Sequence, residues 1–290
     1  MKRISEIDLT NSFLSTEGVA ALANAVRRGV LDGLERLDVR GNRLDLQGNT
    51  WGKFIKAIIE REGGLPKLRK LSVDELAVHG LLVIALGSGK LPSLERLHPS
   101  ELFFGHVRLK SVARAVRTGR FPLRLRTLKF GLRRNVEVDC LVRAIAGSQK
   151  GLPLCVSSLN LSGGRVGEDA LRFLAEGGSG GSGKLSHLVS LDLSQCEIDD
   201  KKLKILGEVF CTHRCPQLRF LNLEENSFSS AGVSVFFDNL RPDSLPKLKR
   251  VKQGVRRGLE CGIEGRVLWE AVGLGLPPGA GTWRSSAGWI

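Results

Sequence analysis

The amino-acid sequence predicts an α/β solenoid in which strand–turn–helix units repeat along the chain and stack on one another. Three observations lead to this prediction. A short alternating apolar pattern recurs about every thirty residues, most copies are followed by apolar residues at helical spacing, and a proline precedes several copies. Self-similarity at such a period is typical of repeat proteins, whose units bury a continuous core only when they stack.

The predicted strand of each unit is a hexapeptide with apolar residues at positions one, four and six. Such alternation is expected of a strand that buries one face and exposes the other. Nine copies can be aligned along the chain. They are ISEIDL from Ile4, LERLDV from Leu34, LRKLSV from Leu68, LERLHP from Leu94, LRTLKF from Leu125, VSSLNL from Val156, LVSLDL from Leu188, LRFLNL from Leu218 and, weakly, LKRVKQ from Leu248.

A helix is predicted after most strands. Apolar residues at helical spacing include Val19, Ala23 and Val26 in the first unit. Prolines such as Pro66 and Pro92 mark the return to the next strand, because proline cannot continue a helix. Strands pair about 4.8 Å apart whereas helix axes need about 8 to 10 Å, so stacked units are predicted to curve into a horseshoe with a concave parallel sheet and convex helices.

The stretch LERLDVRGNRL, residues 34–44, resembles the leucine-rich repeat pattern L-x-x-L-x-L-x-x-N-x-L throughout. The helix in each unit resembles the ribonuclease-inhibitor-like subclass of leucine-rich repeat proteins. The resemblance covers roughly residues 4–253, and we therefore expect a leucine-rich repeat domain of about nine repeats over 1–254. Residues 255–290, which contain GLGLPPGAGTW and three tryptophans, are expected to form a non-repeat tail.

The asparagine of this pattern is predicted to be structural. Where the chain leaves the strand, backbone groups lose their ladder partners, and a buried amide with donors and acceptors can satisfy them. The resemblance places Asn42, Cys196 and Asn226 in this position, and Cys196 is a familiar substitute there. The middle repeats carry other residues at the position.

Composition favours a folded protein without membrane insertion. The chain has 290 residues with 42% hydrophobic content, and its longest apolar run, LLVIALG at 81–87, is too short to span a bilayer. The N-terminal residues lack the apolar core of a signal peptide. Six dispersed cysteines suit reduced thiols, so we expect a cytoplasmic location, with a nuclear one left open.

Two motifs resemble chemical sites, and both are interpreted as structural. GSGGSGKL at 178–185 imitates a phosphate-binding loop, but Leu185 replaces the magnesium-binding hydroxyl residue and the loop follows a helix instead of a strand, so we expect a flexible turn and no cofactor. CTHRCP at 211–216 lacks a second Cys/His pair, so no metal site is predicted. No catalytic arrangement of Ser, His and Asp can be defended, and no enzymatic activity is expected.

Polar residues at the outward strand positions predict a partner-binding concave face. Acidic and basic residues at these positions balance, so the face has mixed charge and is expected to bind a protein. His98 is interpreted as one contact residue among them. The predicted contact residues are Asp38, Arg40, Arg69, Ser72, His98, Lys129, Asn160, Asp192, Asn222 and Glu224.

The net charge of +14 must therefore arise elsewhere. Residues 102–136 contain ten Lys or Arg and no acidic residue. Clustered cations of this kind are found where proteins bind nucleic-acid phosphates, although they are more often solvated flank residues. The predicted basic patch consists of Arg114, Arg117, Arg120 and Arg124.

These observations predict a non-enzymatic scaffold for protein–protein interaction that binds an unidentified protein partner on the concave face. Two alternatives stay open at this point. One is a leucine-rich repeat segment of a larger nucleotide-binding sensor or GTPase regulator, since both kinds of protein use similar repeats. The other is nucleic-acid binding through the basic patch, which the balanced charge of the strand positions makes the weaker alternative.

Overall fold

The structure is a computed structural model of the 290-residue chain. The chain folds into two compact units. The first unit comprises Met1–Phe130 with Pro153–Cys155, and the second comprises Gly131–Leu152 with Val156–Ile290. The structure describes residues 4–42, 50–73, 78–98, 101–104, 106–118, 120–125, 128–132, 137–149, 151–176, 183–213, 215–241, 243–253, 267–272 and 282–285.

In the first unit, a helix follows each of the first three strands, as the repeat predicts, and two successive strands precede the fourth helix. Strand β6, Leu128–Leu132, follows the last helix. The elements of this unit are β1 (Glu6–Asp8), α1 (Thr16–Arg27), β2 (Arg36–Asp38), α2 (Thr50–Glu60), β3 (Lys70–Ser72), α3 (His79–Gly87), β4 (Arg96–His98), β5 (Glu101–Phe104) and α4 (His106–Thr118).

Strands β1 to β4 form a parallel four-stranded sheet in sequence order. The register aligns the middle apolar residue of each strand, Ile7 with Leu37, Leu71 and Leu97. Of these, Leu37 and Leu71 are fully buried. Because neighbouring residues in a strand point to opposite faces, the residues that follow form a row on the other face. That row is Asp8, Asp38, Ser72 and His98.

The second unit repeats the same order of elements. Strands β7 to β10 pair in parallel, with Leu159, Leu191, Leu221 and Val251 aligned and buried in the middle of the strands. The elements are α5 (Asp139–Gly147), β7 (Val156–Asn160), α6 (Glu168–Ala175), β8 (Ser190–Asp192), α7 (Asp200–His213), β9 (Phe220–Asn222), α8 (Ser230–Asn239), β10 (Arg250–Gln253), β11 (Val267–Val272) and β12 (Thr282–Ser285).

The parallel order ends at β10. Strand β11 pairs antiparallel with β10, and β12 pairs antiparallel with β11, so the predicted tail contributes two strands of a different topology. The boundary at residue 254 itself lies outside the described residues. The division into a repeat domain and a non-repeat tail stays a prediction.

Consecutive helices of the second unit are joined at their first turns. The Asp200 carboxylate, at the start of α7, accepts hydrogen bonds from the backbone N–H and the hydroxyl of Ser229, at 2.6 and 2.7 Å. Ser229 in turn caps α8 by accepting from the Gly232 N–H. Asp139 of α5 accepts from the Gly167 N–H before α6 in the same way. A carboxylate on one helix therefore fixes the start of the next.

Candidate functional site

Polar residues at the ends of five strands close the chain into a turn. In five repeats, the side-chain oxygen of an Asp or Asn accepts a hydrogen bond from the backbone N–H two residues later, which is an Asx turn. Four of these residues belong to the predicted partner-binding set. The acceptors are Asp8, Asp38, Asn160, Asp192 and Asn222, and the donors are Thr10, Arg40, Ser162, Ser194 and Glu224, at 2.9 to 3.4 Å.

In the first unit, three of the predicted contact residues, Asp38, Arg40 and Arg69, form ion pairs with other side chains of the sheet. Arg40 donates from Nε and Nη2 to the two carboxylate oxygens of Asp38, both at 2.8 Å, and Lys70 Nζ lies 3.6 Å away. Hydrogen bonds from the Arg40 side chain lower the pKa of Asp38 to about 2. Arg69 likewise makes a bidentate pair with Glu95, at 3.1 and 3.2 Å. These charges neutralise each other within the sheet.

Two of the predicted contact residues in this unit are hidden from solvent. Asp38 is 9% exposed and Ser72 is 1% exposed. The register places the short Ser72 side chain between Asp38 and His98, whose longer side chains flank it. His98 and Lys129 are exposed. The partner-binding role of these residues stays a prediction, and burial leaves Ser72 little surface to offer.

The predicted contact residues on the strand face of the second unit are more exposed than Asp38 and Ser72 of the first unit. Asn160, Asp192, Asn222 and Glu224 are all partly exposed. Asn222 Nδ2 donates to Asp192 Oδ2 at 3.2 Å, and the Ser194 hydroxyl donates to Asp192 Oδ1 at 2.7 Å. A side-chain hydrogen bond therefore links the two neighbouring repeats that contain β8 and β9 on this face.

An exposed aromatic residue lies on this same face and was missed in the sequence. Phe220 opens β9 and pairs in register between Ser190 and Arg250. Its side chain is 44% exposed although the residue lies within a sheet. The alternating strand pattern already places Phe220 at an outward position. The sequence prediction named only polar and charged residues at such positions and therefore did not include it. We call Asn160, Asp192, Phe220, Asn222 and Glu224 the second-unit strand face.

The asparagine position holds neighbouring repeats together. Asn42 is buried, accepts from the Leu14 N–H at 2.9 Å, and donates to the carbonyls of Leu9 and Val39 at 2.7 and 2.9 Å. Asn226 is also buried and makes the corresponding bonds in the second unit. Cys196 is buried in the equivalent position, where its thiol donates to the Leu161 carbonyl at 3.1 Å.

The lysine of the phosphate-loop-like motif is used inside the protein. Lys184 is buried, and its Nζ donates to the carbonyl of Ser148, the residue that ends α5. Burial lowers the pKa of Lys184. In the related segment SGKLPSL, Lys90 Nζ donates to the Glu62 carbonyl at 2.6 Å, just after α2. Each lysine satisfies a free carbonyl at the end of a helix, a role that cations fill well.

The backbone of each of these two lysines lies so close to the preceding repeat that the facing residue there must be glycine. Gly64 and Gly151 have φ values of +59° and +72°, and a Cβ at either position would collide with the backbone of Lys90 or Lys184, respectively. Residues 177–182 of the glycine-rich stretch lie outside the described residues. The sequence predicts a flexible turn here. At Lys184 this prediction is wrong, because the lysine side chain is buried and hydrogen-bonded.

Three of the cysteines that the structure describes, Cys155, Cys196 and Cys215, are buried as core residues are. Burial raises the pKa of Cys155 to about 11 and the pKa values of Cys196 and Cys215 to about 12. In the CTHRCP segment, the Cys211 thiol donates to the Asn239 carbonyl at 3.1 Å, and the His213 side chain lies outside the description. Among the residues that the structure describes, no group of three or more His, Cys, Asp or Glu is placed to hold a metal ion.

The arginines of the predicted basic patch are exposed. Arg114 and Arg117 lie on α4, and Arg120 and Arg124 lie in the segment before β6. Arg124 Nη1 lies 3.9 Å from Glu95 Oε1, a distance at which an exposed pair contributes little. Over the described part of the chain, no helix is both long and apolar enough to cross a bilayer.

One comparison with known proteins, the match to a family model, supports the repeat architecture within the second unit. A family model described as a leucine-rich repeat matches residues 184–201, which include β8 and its asparagine-position residue Cys196. The chain is also similar to an internalin from Listeria monocytogenes, at 14% sequence identity and a TM-score of 0.29, over 84% of this chain and 95% of the internalin chain. No curated protein sequence matches.

Proposed function

We propose that this α/β leucine-rich repeat solenoid is a non-enzymatic scaffold for protein–protein interaction and binds a protein partner through the second-unit strand face. The observation that carries the proposal is Phe220, an exposed aromatic side chain set among hydrogen-bonded polar groups on a sheet. Aromatic residues ringed by polar ones are the usual anchors of protein interfaces.

The polar residues of this face give the proposed site its specificity. Asp192 and Glu224 carry negative charge, whereas Asn160 and Asn222 present amide groups that accept and donate. A partner that fits would place an apolar pocket over Phe220 and hydrogen-bond donors opposite Asp192. The presence of a helix after most strands supports assignment to the ribonuclease-inhibitor-like kind of repeat, and we propose a cytoplasmic location.

The first unit takes a smaller part in this proposal. Asp38, Arg40, Arg69 and Glu95 already satisfy one another, so a partner must break ion pairs to engage them. His98 and Lys129 are exposed and are proposed as secondary contacts on the face that the sequence predicts to be concave.

The test compares one substitution on the face with one elsewhere. Tagged wild type, Phe220→Asp and Val235→Asp are expressed in the same cells, cross-linked and analysed by quantitative mass spectrometry. Val235 is a matched control because it is 42% exposed on α8. We expect a partner that binds wild type and Val235→Asp, binds Phe220→Asp about tenfold less, and binds the purified chain directly.

The rival function is separated by a second measurement. Purified protein is titrated with a labelled single-stranded RNA and a labelled DNA duplex at several salt concentrations, using wild type and Arg114→Glu/Arg117→Glu. Weak binding that disappears near physiological salt fits the scaffold proposal. Tight, salt-resistant binding that the arginine variant abolishes, together with identical protein partners for wild type and Phe220→Asp, would overturn it.

A further inference from the structure

Two neighbouring repeats contain one residue more than the others just before the strand. In four repeats the proline lies two residues before the first residue of the aligned hexapeptide. In the two other repeats that have a proline before the strand, Pro122 lies three residues before Leu125 and Pro153 lies three residues before Val156. The four shorter spacings are Pro66 to Leu68, Pro92 to Leu94, Pro216 to Leu218 and Pro246 to Leu248.

The longer segments push a leucine into solvent. Leu123 is 87% exposed and Leu154 is 69% exposed, and each directly follows its proline. In the four shorter segments, the residue after the proline is polar: Lys67, Ser93, Gln217 or Lys247. Both leucines belong to the first unit, and a 2.7 Å hydrogen bond from the Leu128 N–H to the Cys155 carbonyl joins their segments. The exposed leucines are therefore a local feature shared by two adjacent repeats.

The surroundings of these leucines carry positive charge. Leu123 lies within residues 102–136, which contain no acidic residue, and Leu154 lies within residues 140–167, which also contain none. Arg120 and Arg124 flank Leu123 and are exposed. The one carboxylate that the described residues place near Arg124 is that of Glu95, which already pairs with Arg69. Glu95 therefore offsets this positive charge only in part, which favours a binding partner that carries acidic residues.

We propose that Leu123, Leu154, Arg120 and Arg124 form a docking site for an acidic protein segment that carries two leucine-sized apolar side chains. The apolar side chains pack on Leu123 and Leu154, and the acidic residues beside them pair with the two arginines. The site is separate from the second-unit strand face. A lipid surface is the poorer occupant, because two leucines bury less apolar surface than one myristoyl chain, which by itself anchors only marginally.

The test uses synthetic peptides of defined chemistry. Fluorescein-labelled peptides with a Leu-Glu-Leu or a Leu-Glu-Glu-Leu core between runs of Glu and Asp are titrated with the full chain, and anisotropy gives the Kd. The controls replace both leucines by Ala, or all acidic residues by Lys. We expect at least one acidic leucine peptide to bind. Both control peptides should have a Kd that is higher by about tenfold or more.

Protein variants locate the site. Leu123→Ser/Leu154→Ser and Arg120→Glu/Arg124→Glu are each expected to weaken binding about tenfold, and thermal unfolding monitored by circular dichroism checks that each variant folds. Val30→Ser, at a residue that is 50% exposed elsewhere in the first unit, is the matched control and is expected to leave the Kd unchanged. Phe220→Ala is also expected to leave it unchanged, so this proposal and the proposed function fail independently.

Four outcomes would overturn the proposal. The first is that neither acidic peptide binds up to about 1 mM, and the second is that the Lys-substituted peptide binds equally well. The third is that the protein floats with vesicles of anionic lipid in a leucine-dependent way and does not bind the peptides. The fourth is self-association in sedimentation experiments that the leucine substitutions abolish. The last two assign the leucines to a membrane or to a second copy of the chain.

Discussion

Asn226 and Cys196 lie in equivalent positions of consecutive repeats, and the Asn226 side-chain oxygen accepts a hydrogen bond from the Cys196 backbone N–H at 3.0 Å. The same oxygen accepts from the Ile198 N–H at 3.0 Å, while Nδ2 donates to the Leu193 carbonyl at 2.8 Å. One amide thus satisfies three backbone groups of the preceding repeat. The buried amide of Asn226 therefore contributes three of the polar contacts between these two repeats.

Replacing Asn226 with Ala should destabilise the protein by about 3 kcal/mol, because buried backbone groups lose their hydrogen-bond partners. Urea unfolding followed by circular dichroism measures the change. Asn239→Ala, at an exposed position near the end of α8, is the control and should change stability by less than about 0.5 kcal/mol. Equal stability of the two variants would contradict the structural role of Asn226.

Gly64→Ala and Gly151→Ala should each destabilise the protein by about 2 kcal/mol or more, since both require a positive φ and leave no room for a Cβ beside the next repeat. The neighbouring Gly63 offers a matched control, because nothing lies within 4 Å of a Cβ built there. Gly63→Ala should be neutral to within about 0.5 kcal/mol. Midpoints of urea unfolding compare the three variants, and similar losses at Gly63 and Gly64 would refute the steric argument.

Asp38 should make stability depend on pH in the acidic range. Its pKa in the folded protein is about 2, below the ordinary value of 3.8, so the carboxylate stabilises the fold above about pH 4 and loses that contribution as the pH falls through 2. Asp38→Asn keeps a turn acceptor but removes the charge. The stability difference from wild type should therefore be present at pH 7 and shrink between pH 4 and 2.

Urea unfolding at each pH tests this expectation, with Glu208→Gln as the control at an exposed position within α7. The control should show no comparable pH-dependent difference. A difference for Asp38→Asn that grows as the pH falls would have the opposite sign and would rule out the Arg40 pairing as its cause.

Cys155, Cys196 and Cys215 should resist alkylation in the folded protein, because burial raises their pKa values to about 11 or 12 and keeps the reactive thiolate scarce near neutral pH. Iodoacetamide labelling followed by peptide mass spectrometry gives the rate at each site. The partly exposed Cys211 should react faster than these three in the native state, and all should react in urea. Fast native labelling of Cys196 would contradict its buried placement.

The periodic apolar pattern predicted the fold class, which is confirmed as an α/β leucine-rich repeat solenoid. Each strand of the first sheet, from β1 to β4, lies within a hexapeptide identified from spacing alone. The strands could be predicted because burial of one strand face requires apolar and polar residues to alternate. This alternation is present even in repeats that have no Asn at the asparagine position. The antiparallel β11 and β12 were not predicted, since their sequence does not repeat the pattern.

The candidate site was harder to predict than the fold. Strand alternation places Ser72 and Phe220 on outward positions, but it does not say that neighbouring side chains hide the first and leave the second open. The roles of Lys90 and Lys184 depend on carbonyls in the preceding repeat, which a local motif does not contain. The exposed Leu123 and Leu154 did have a local signal, the extra residue after Pro122 and Pro153.

The Asx turns have a thermodynamic consequence for recognition. Asp192 and Asn222 are already held in one rotamer by bonds to the backbone and to each other, so little side-chain entropy remains to be lost when a partner docks on them. Binding at this face should resemble that of a preorganised surface, with small rearrangement of the free protein. The rigidity that closes each strand thereby also limits which partners fit, because these side chains do not adjust to a poorly matched surface.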